Sequence, residues 1–120
     1  MKLKYILFML TVSIVSSCRN SDDVKIAVKD SDDEYRFTAY FDENKTEEIV
    51  KVIDQNIAPT TIASDDDKID VTTTLEDKTT FDLQYEPGEV MIKLNKHENS
   101  KSSYSRVKKM CEEIKNTIGE

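Results

Sequence analysis

Between Lys68 and Leu94 one side of the chain is apolar at nearly every second residue. The series runs Ile69, Val71, Thr73 and Leu75, then Phe81, Leu83 and Tyr85, then Val90, Ile92 and Leu94. Successive side chains of a strand point to opposite faces, so each run has one face to bury and one to leave wet. Glu76-Asp77-Lys78 and Glu86-Pro87-Gly88-Glu89 separate the runs, and the second has proline and glycine where a type II turn prefers them. Three strands in a meander are predicted. The same period occurs earlier, with Val24, Ile26 and Val28 and then Tyr35, Phe37, Ala39 and Phe41 as the inward sets. Asp30-Ser31-Asp32-Asp33 between them is turn chemistry, because short polar side chains satisfy nearby backbone groups. A hairpin is predicted there.

Two segments change period. Ile49, Val50, Ile53 and Ile57 recur at helical spacing, with Glu47, Glu48, Lys51 and Asp54 on the wet side. Asn44 is read as the cap of this helix, with Glu47 closing a capping box, and Ala58-Pro59 as its end. After a polar loop over 60–67 and the meander, Asn95 to Ser103 reads as a second polar loop. A last helix is predicted from about Ser103 to Ile118, with Val107, Met110, Cys111, Ile114 and Ile118 along one stripe and Gly119 as its stop. Strands with one apolar face and helices with one apolar stripe pack most simply in two layers. The expected fold is α+β: an antiparallel sheet of about five strands, in chain order ββαβββα, with two helices on one face. This domain is expected to span 24–118.

The residues before it follow another plan. Lys2 and Lys4 precede an apolar run from Tyr5 to Val15, broken by Thr11 and Ser13 and closed by Ser16, Ser17 and Cys18. The run is about half of what a helix needs to cross a hydrocarbon core of ~30 Å. A basic start, a short apolar segment and a small-residue end are the layout of a signal peptide. Val15-Ser16-Ser17-Cys18 resembles the lipobox of bacterial lipoproteins. The resemblance implies that 1–17 is a removed signal peptide and that Cys18 becomes the first mature residue. It would hold the protein to the membrane through acyl groups on Cys18, with 18–23 as a tether. The alternative is an ordinary signal peptide with an incidental cysteine. Arg19-Asn20-Ser21-Asp22-Asp23 is similar to the surface-export signal of some Gram-negative lipoproteins; a solvated tether would have the same composition. No aspartate follows Cys18 directly, as it does in lipoproteins retained at the inner membrane of some bacteria. The expected location is the cell envelope, at the outer membrane, with surface exposure as the further reading. The domain itself has the look of small envelope lipoproteins and resembles no characterised family.

Removing 1–17 takes away Lys2 and Lys4 and no acid, so the formal charge goes from −7 to −9. Such a balance disfavours nucleic acid and anionic membrane surfaces and favours basic partners. With Cys18 acylated, Cys111 is the remaining thiol, and its place in the apolar stripe marks it as a small buried hydrophobe.

Chemistry has few footholds. The single histidine, His97, lies in a polar loop outside any HExxH spacing, so no catalytic residue is assigned and a non-enzymatic role is expected. Asp30-Ser31-Asp32-Asp33-Glu34 and Asp65-Asp66-Asp67 hold enough oxygens for calcium, but neither has the turn glycine and distant glutamate of a calcium loop. They are read as solvated turn acids, and no metal or cofactor is expected. The outward set of the sheet is more specific: Arg36, Thr38, Tyr40, Thr72, Thr74, Gln84, Met91 and Lys93. Threonine suits a wet strand, whereas an aromatic, a methionine and an arginine together have interface-like composition. Arg36, Thr38, Tyr40, Met91 and Lys93 are therefore the candidate partner-binding face. The partner is expected to be a protein or envelope component, as for an immunity-like protein or an accessory subunit. The alternative is a small ligand or peptide, and the third reading is an enzyme.

Overall fold

The computed structural model describes residues 24–62 and 68–119. The readings on 1–17, on Cys18 and the tether, and on Asp65-Asp66-Asp67 lie outside the described residues. Within them the chain forms β1 (Lys25–Asp30), β2 (Glu34–Tyr40), α1 (Thr46–Ile57), β3 (Ile69–Thr74), β4 (Thr80–Glu86), β5 (Glu89–Asn95) and α2 (Lys101–Gly119). The fold is α+β, and five strands form one antiparallel sheet in the order β1-β2-β5-β4-β3. The predicted hairpin and meander are both present. Pairing β2 with β5 joins them, Phe37 opposite Ile92 and Thr38 opposite Met91.

One face of the sheet and the two helices enclose the core. Tyr35, Phe37 and Ala39 of β2, Phe81 and Leu83 of β4, and Val90, Ile92 and Leu94 of β5 pack with Ile49, Ile53 and Ile57 of α1. Val107, Met110, Cys111, Ile114 and Ile118 of α2, with Phe41, Ile69 and Leu75, complete it. β5 lies at the centre, and its inward residues are fully buried. At the edges the expectation of a buried face needs correcting. Val24 and Val28 are 48% and 52% exposed and Val71 is 38% exposed. Alternation decides which way these side chains point. Whether a helix lies over them is set by strand order, and β1 and β3 are the outer strands.

Both helix starts also differ from expectation. Asn44 does not cap α1. Asp42 accepts a hydrogen bond from the Asn44 N–H at 2.9 Å and opens a 3₁₀ turn over Glu43–Lys45, after which α1 begins at Thr46. The Thr46 hydroxyl accepts from the Gly88 N–H at 2.9 Å, and the Gly88 carbonyl accepts from the Phe41 N–H at 2.9 Å. Gly88 has φ +84°, and a Cβ there would lie 3.0 Å from the Phe41 carbonyl oxygen, so the β4–β5 turn requires glycine to close against the start of α1. Helix α2 begins at Lys101, two residues earlier than expected, because the Ser100 hydroxyl accepts from the Ser103 N–H at 3.0 Å. The stretch before it is not all loop, since Lys96–Glu98 forms a 3₁₀ turn. Gly119 is included in the helix it was expected to stop.

Arg106 ties the helix layer to the sheet. Its guanidinium reaches Asp77 at 2.9 Å, Glu76 at 3.3 Å and the Asn56 carbonyl at 3.1 Å, joining α2 to the β3–β4 turn and to the end of α1. Hydrogen bonds from Thr79, and then Arg106, hold the Asp77 carboxyl at about 2, below its ordinary 3.8. The folded state therefore favours the charged form. Its contribution is present above pH 3.8 and lost as pH falls toward about 2. Arg106→Ala should cost about 1–3 kcal/mol in urea unfolding at neutral pH. Asp77→Asn should flatten the acid limb of stability in that window. An unchanged limb would show that other carboxyls carry it.

Candidate functional site

The face opposite the helices is built by the even-numbered residues of β2, β3 and β4 and the odd-numbered residues of β5. Cross-strand register arranges them in rows. Ala27, Thr38, Met91, Gln84 and Asp70 form one row across the sheet, and Lys29, Arg36, Lys93, Asp82 and Thr72 the next. Lys25, Tyr40, Glu89 and Glu86 form a third. Arg36, Thr38, Tyr40, Met91 and Lys93 thus occupy one patch on two neighbouring strands. Tyr40 is 46% exposed, while Thr38, Met91 and Lys93 are partly covered by their neighbours.

Arg36 is less free than the sequence implies. The Glu34 carboxylate lies 3.4 Å from both Arg36 and Lys29, and Glu34 is largely covered by them. The cluster keeps a surplus positive charge at the β1–β2 side, next to Lys93.

At the other side two rows end in acids, Asp70 and Glu86, and the row from Lys29 to Thr72 carries Asp82 next to its end; sequence reasoning did not place these acids. Glu86 and Glu89 stand directly opposite each other at the β4–β5 turn, beyond Tyr40. Like charges directly opposite on paired strands are destabilising. Partial burial, and then Glu86 beside it, raises the Glu89 carboxyl above the usual range, and the Tyr40 hydroxyl offsets this in part. Lys68 lies 3.6 Å from Glu86. Lys68, Asp70, Gln84, Glu86, Glu89 and Met91, with Ile69 and Tyr85, line a shallow cleft of ≈ 280 Å³. The open face therefore runs from a basic side, across tyrosine, threonine and methionine, to an acidic cleft. The signal in the sequence was the acids flanking Pro87-Gly88; linking them to Tyr40 needed the β2–β5 pairing.

The remaining candidates lie apart from this face. His97 meets Asp33 at 2.8 Å on open surface, the two side chains 71% and 80% exposed. Cys111 is fully enclosed, and burial pushes its thiol up to about 12, so it is neutral at any physiological pH. Cys111→Ala should cost about 1–2 kcal/mol in urea unfolding. The folded wild type should resist a thiol reagent until it unfolds; rapid labelling would contradict the enclosure. Of the acids at the β1–β2 turn, Asp30, Asp33 and Glu34 are already engaged. Asp30 accepts from Lys96 and from the Tyr104 hydroxyl, each at 2.6 Å, and these bonds hold its carboxyl below the usual range. Among the described residues no group of three potential metal ligands converges. No described helix is long and apolar enough to cross a membrane.

No family model, curated protein or solved structure matches this chain.

Proposed function

We propose that the protein is a non-enzymatic bacterial envelope lipoprotein, held at the outer membrane through acylated Cys18, whose domain binds a protein or envelope component. The observation that carries the binding half is the open face. Tyr40, Thr38 and Met91 lie side by side where no described helix covers them, between a basic cluster and an acidic cleft. A tyrosine and a methionine offer contact area at a small cost in ordering, and the charged sides set the orientation of a partner with acidic and basic groups of its own. The anchoring half rests on the lipobox resemblance of Val15-Ser16-Ser17-Cys18. An immunity-like protein and an accessory subunit of a membrane complex both fit this reading.

A second reading has an observation of its own. The acidic cleft beside Met91 has room for a basic side chain or small amine, although ≈ 280 Å³ is just below the usual range for small-molecule sites.

Tyr40→Ala combined with Met91→Ala tests the proposal. Both residues lie off the core, so the unfolding free energy from urea denaturation should fall by only about 0.5–1 kcal/mol. Capture of the wild type's partner from envelope extracts of the native host should fall about tenfold or more, as for loss of an aromatic anchor. A double variant that folds and retains every wild-type partner would exclude this face.

A further inference from the structure

We propose that the free edge of β1 is a strand-addition site for an extended partner segment in which apolar and acidic residues alternate. β1 is the end strand of the sheet and pairs only with β2 among the described residues, so its other edge presents unpaired backbone donors and acceptors. Its two side-chain rows differ in chemistry. On the helix side Val24 and Val28 are about half exposed, with Ile26 partly buried between them. Val28 also lines a groove of ≈ 190 Å³ beneath α2, where Tyr35 and Phe37 form the floor and Asp30, Lys108 and Lys115 are among the charged residues around it. On the open side the row is Lys25, Ala27 and Lys29, with Arg36 opposite Lys29.

An added strand lies about 4.8 Å away and alternates in step, so its side chains extend these same two rows. Apolar residues would cover Val24, Ile26 and Val28, and acidic residues would come beside Lys25 and Lys29. The lysines also select the occupant. A second copy pairing β1 against β1 with its helices on the same side would crowd both sets of lysines into one row, and like charges there are unfavourable. Natural edges are often blocked by charges; here both lysines stand on the open side, and the one charge in the helix-side row is Asp30 at its end, held by Lys96 and the Tyr104 hydroxyl. The opposite edge lacks this pattern: β3 exposes Val71 alone of its apolar residues and carries Asp70 and Thr72 outward. The lysines of β1 adjoin the open face, Lys25 opposite Tyr40 and Lys29 opposite Arg36. The free backbone edge and the valine row lie off the Tyr40–Met91 patch, so this inference stands whether or not that patch binds.

The probe is a fluorescein-labelled octapeptide of alternating valine and glutamate, titrated against the full chain in detergent micelles by fluorescence anisotropy. Saturable binding is expected, with new hydrogen-exchange protection over 24–29. A central proline in the peptide should remove it. Lys25→Glu with Lys29→Glu, shown folded by circular dichroism, should weaken it about tenfold and favour an alternating valine–lysine peptide instead. The proposal is overturned if nothing saturable is seen, if the proline peptide binds equally, or if charge reversal leaves the preference unchanged. Protection confined to the Tyr40–Met91 patch would also overturn it. So would a chain that sediments as a dimer and is made monomeric by Val28→Asp, since a second copy would then occupy the edge.

Discussion

Phe37→Ala is expected to destabilise the domain by about 3–5 kcal/mol, the usual cost of emptying a buried phenylalanine site. Phe37 is 1% exposed, and its strand pairs with the hairpin on one side and the meander on the other, with Val28 and Ile92 opposite it. Neither α1 nor α2 can move in to fill the space without leaving its other core residues. Small domains have a net stability of about 5–15 kcal/mol, so the loss is about a fifth of the total or more. Urea unfolding should show a lower midpoint with unchanged slope. Val28→Ala is the matched control: it is Phe37's neighbour in the same row, yet half exposed, and should change stability by no more than about 0.5 kcal/mol. Equal losses at the two positions would show that β1 is covered on its helix side.

Cys18→Ser is expected to move the protein from the membrane fraction to the soluble fraction in its native host. Each buried CH₂ of an acyl chain contributes about 0.8 kcal/mol, so two or three chains make membrane attachment effectively permanent and their loss makes it negligible. Intact mass of the wild type should show a chain that begins at Cys18 and carries the added acyl groups. A wild-type chain still beginning at Met1, or a Cys18→Ser variant that stays with the membranes, would remove the lipoprotein reading. The open-face proposal would survive that outcome, because it depends on the domain alone.

Several features were already legible in the order of residues. Period-two runs bounded by Asp30-Ser31-Asp32-Asp33, Glu76-Asp77-Lys78 and Glu86-Pro87-Gly88-Glu89 specify five strands and the side each one turns toward the helices, because a one-residue slip would turn every apolar side chain the other way. The stripes through Ile53 and Ile114 specify two helices, and the place of Cys111 within the second explains its burial. The membership of the open face, with Arg36, Thr38, Tyr40, Met91 and Lys93, follows from the same alternation. Strand order had no local signal. Hairpins come from neighbouring runs, but the pairing of β2 with β5 joins residues about fifty positions apart in the chain, and many strands of this type could serve as partner. That one pairing places Tyr40 opposite Glu89 and makes an acidic cleft the far end of the face. It also puts β1 and β3 outside, leaving Val28 and Val71 uncovered although their alternation marks them as inward. The helix starts divide between the two. Asp42 and Ser100 accept from N–H groups two and three residues on, a local choice that the sequence carries. The Gly88 N–H reaches the Thr46 hydroxyl only once the β4–β5 turn is in place, so that part of the start of α1 is a product of tertiary contact.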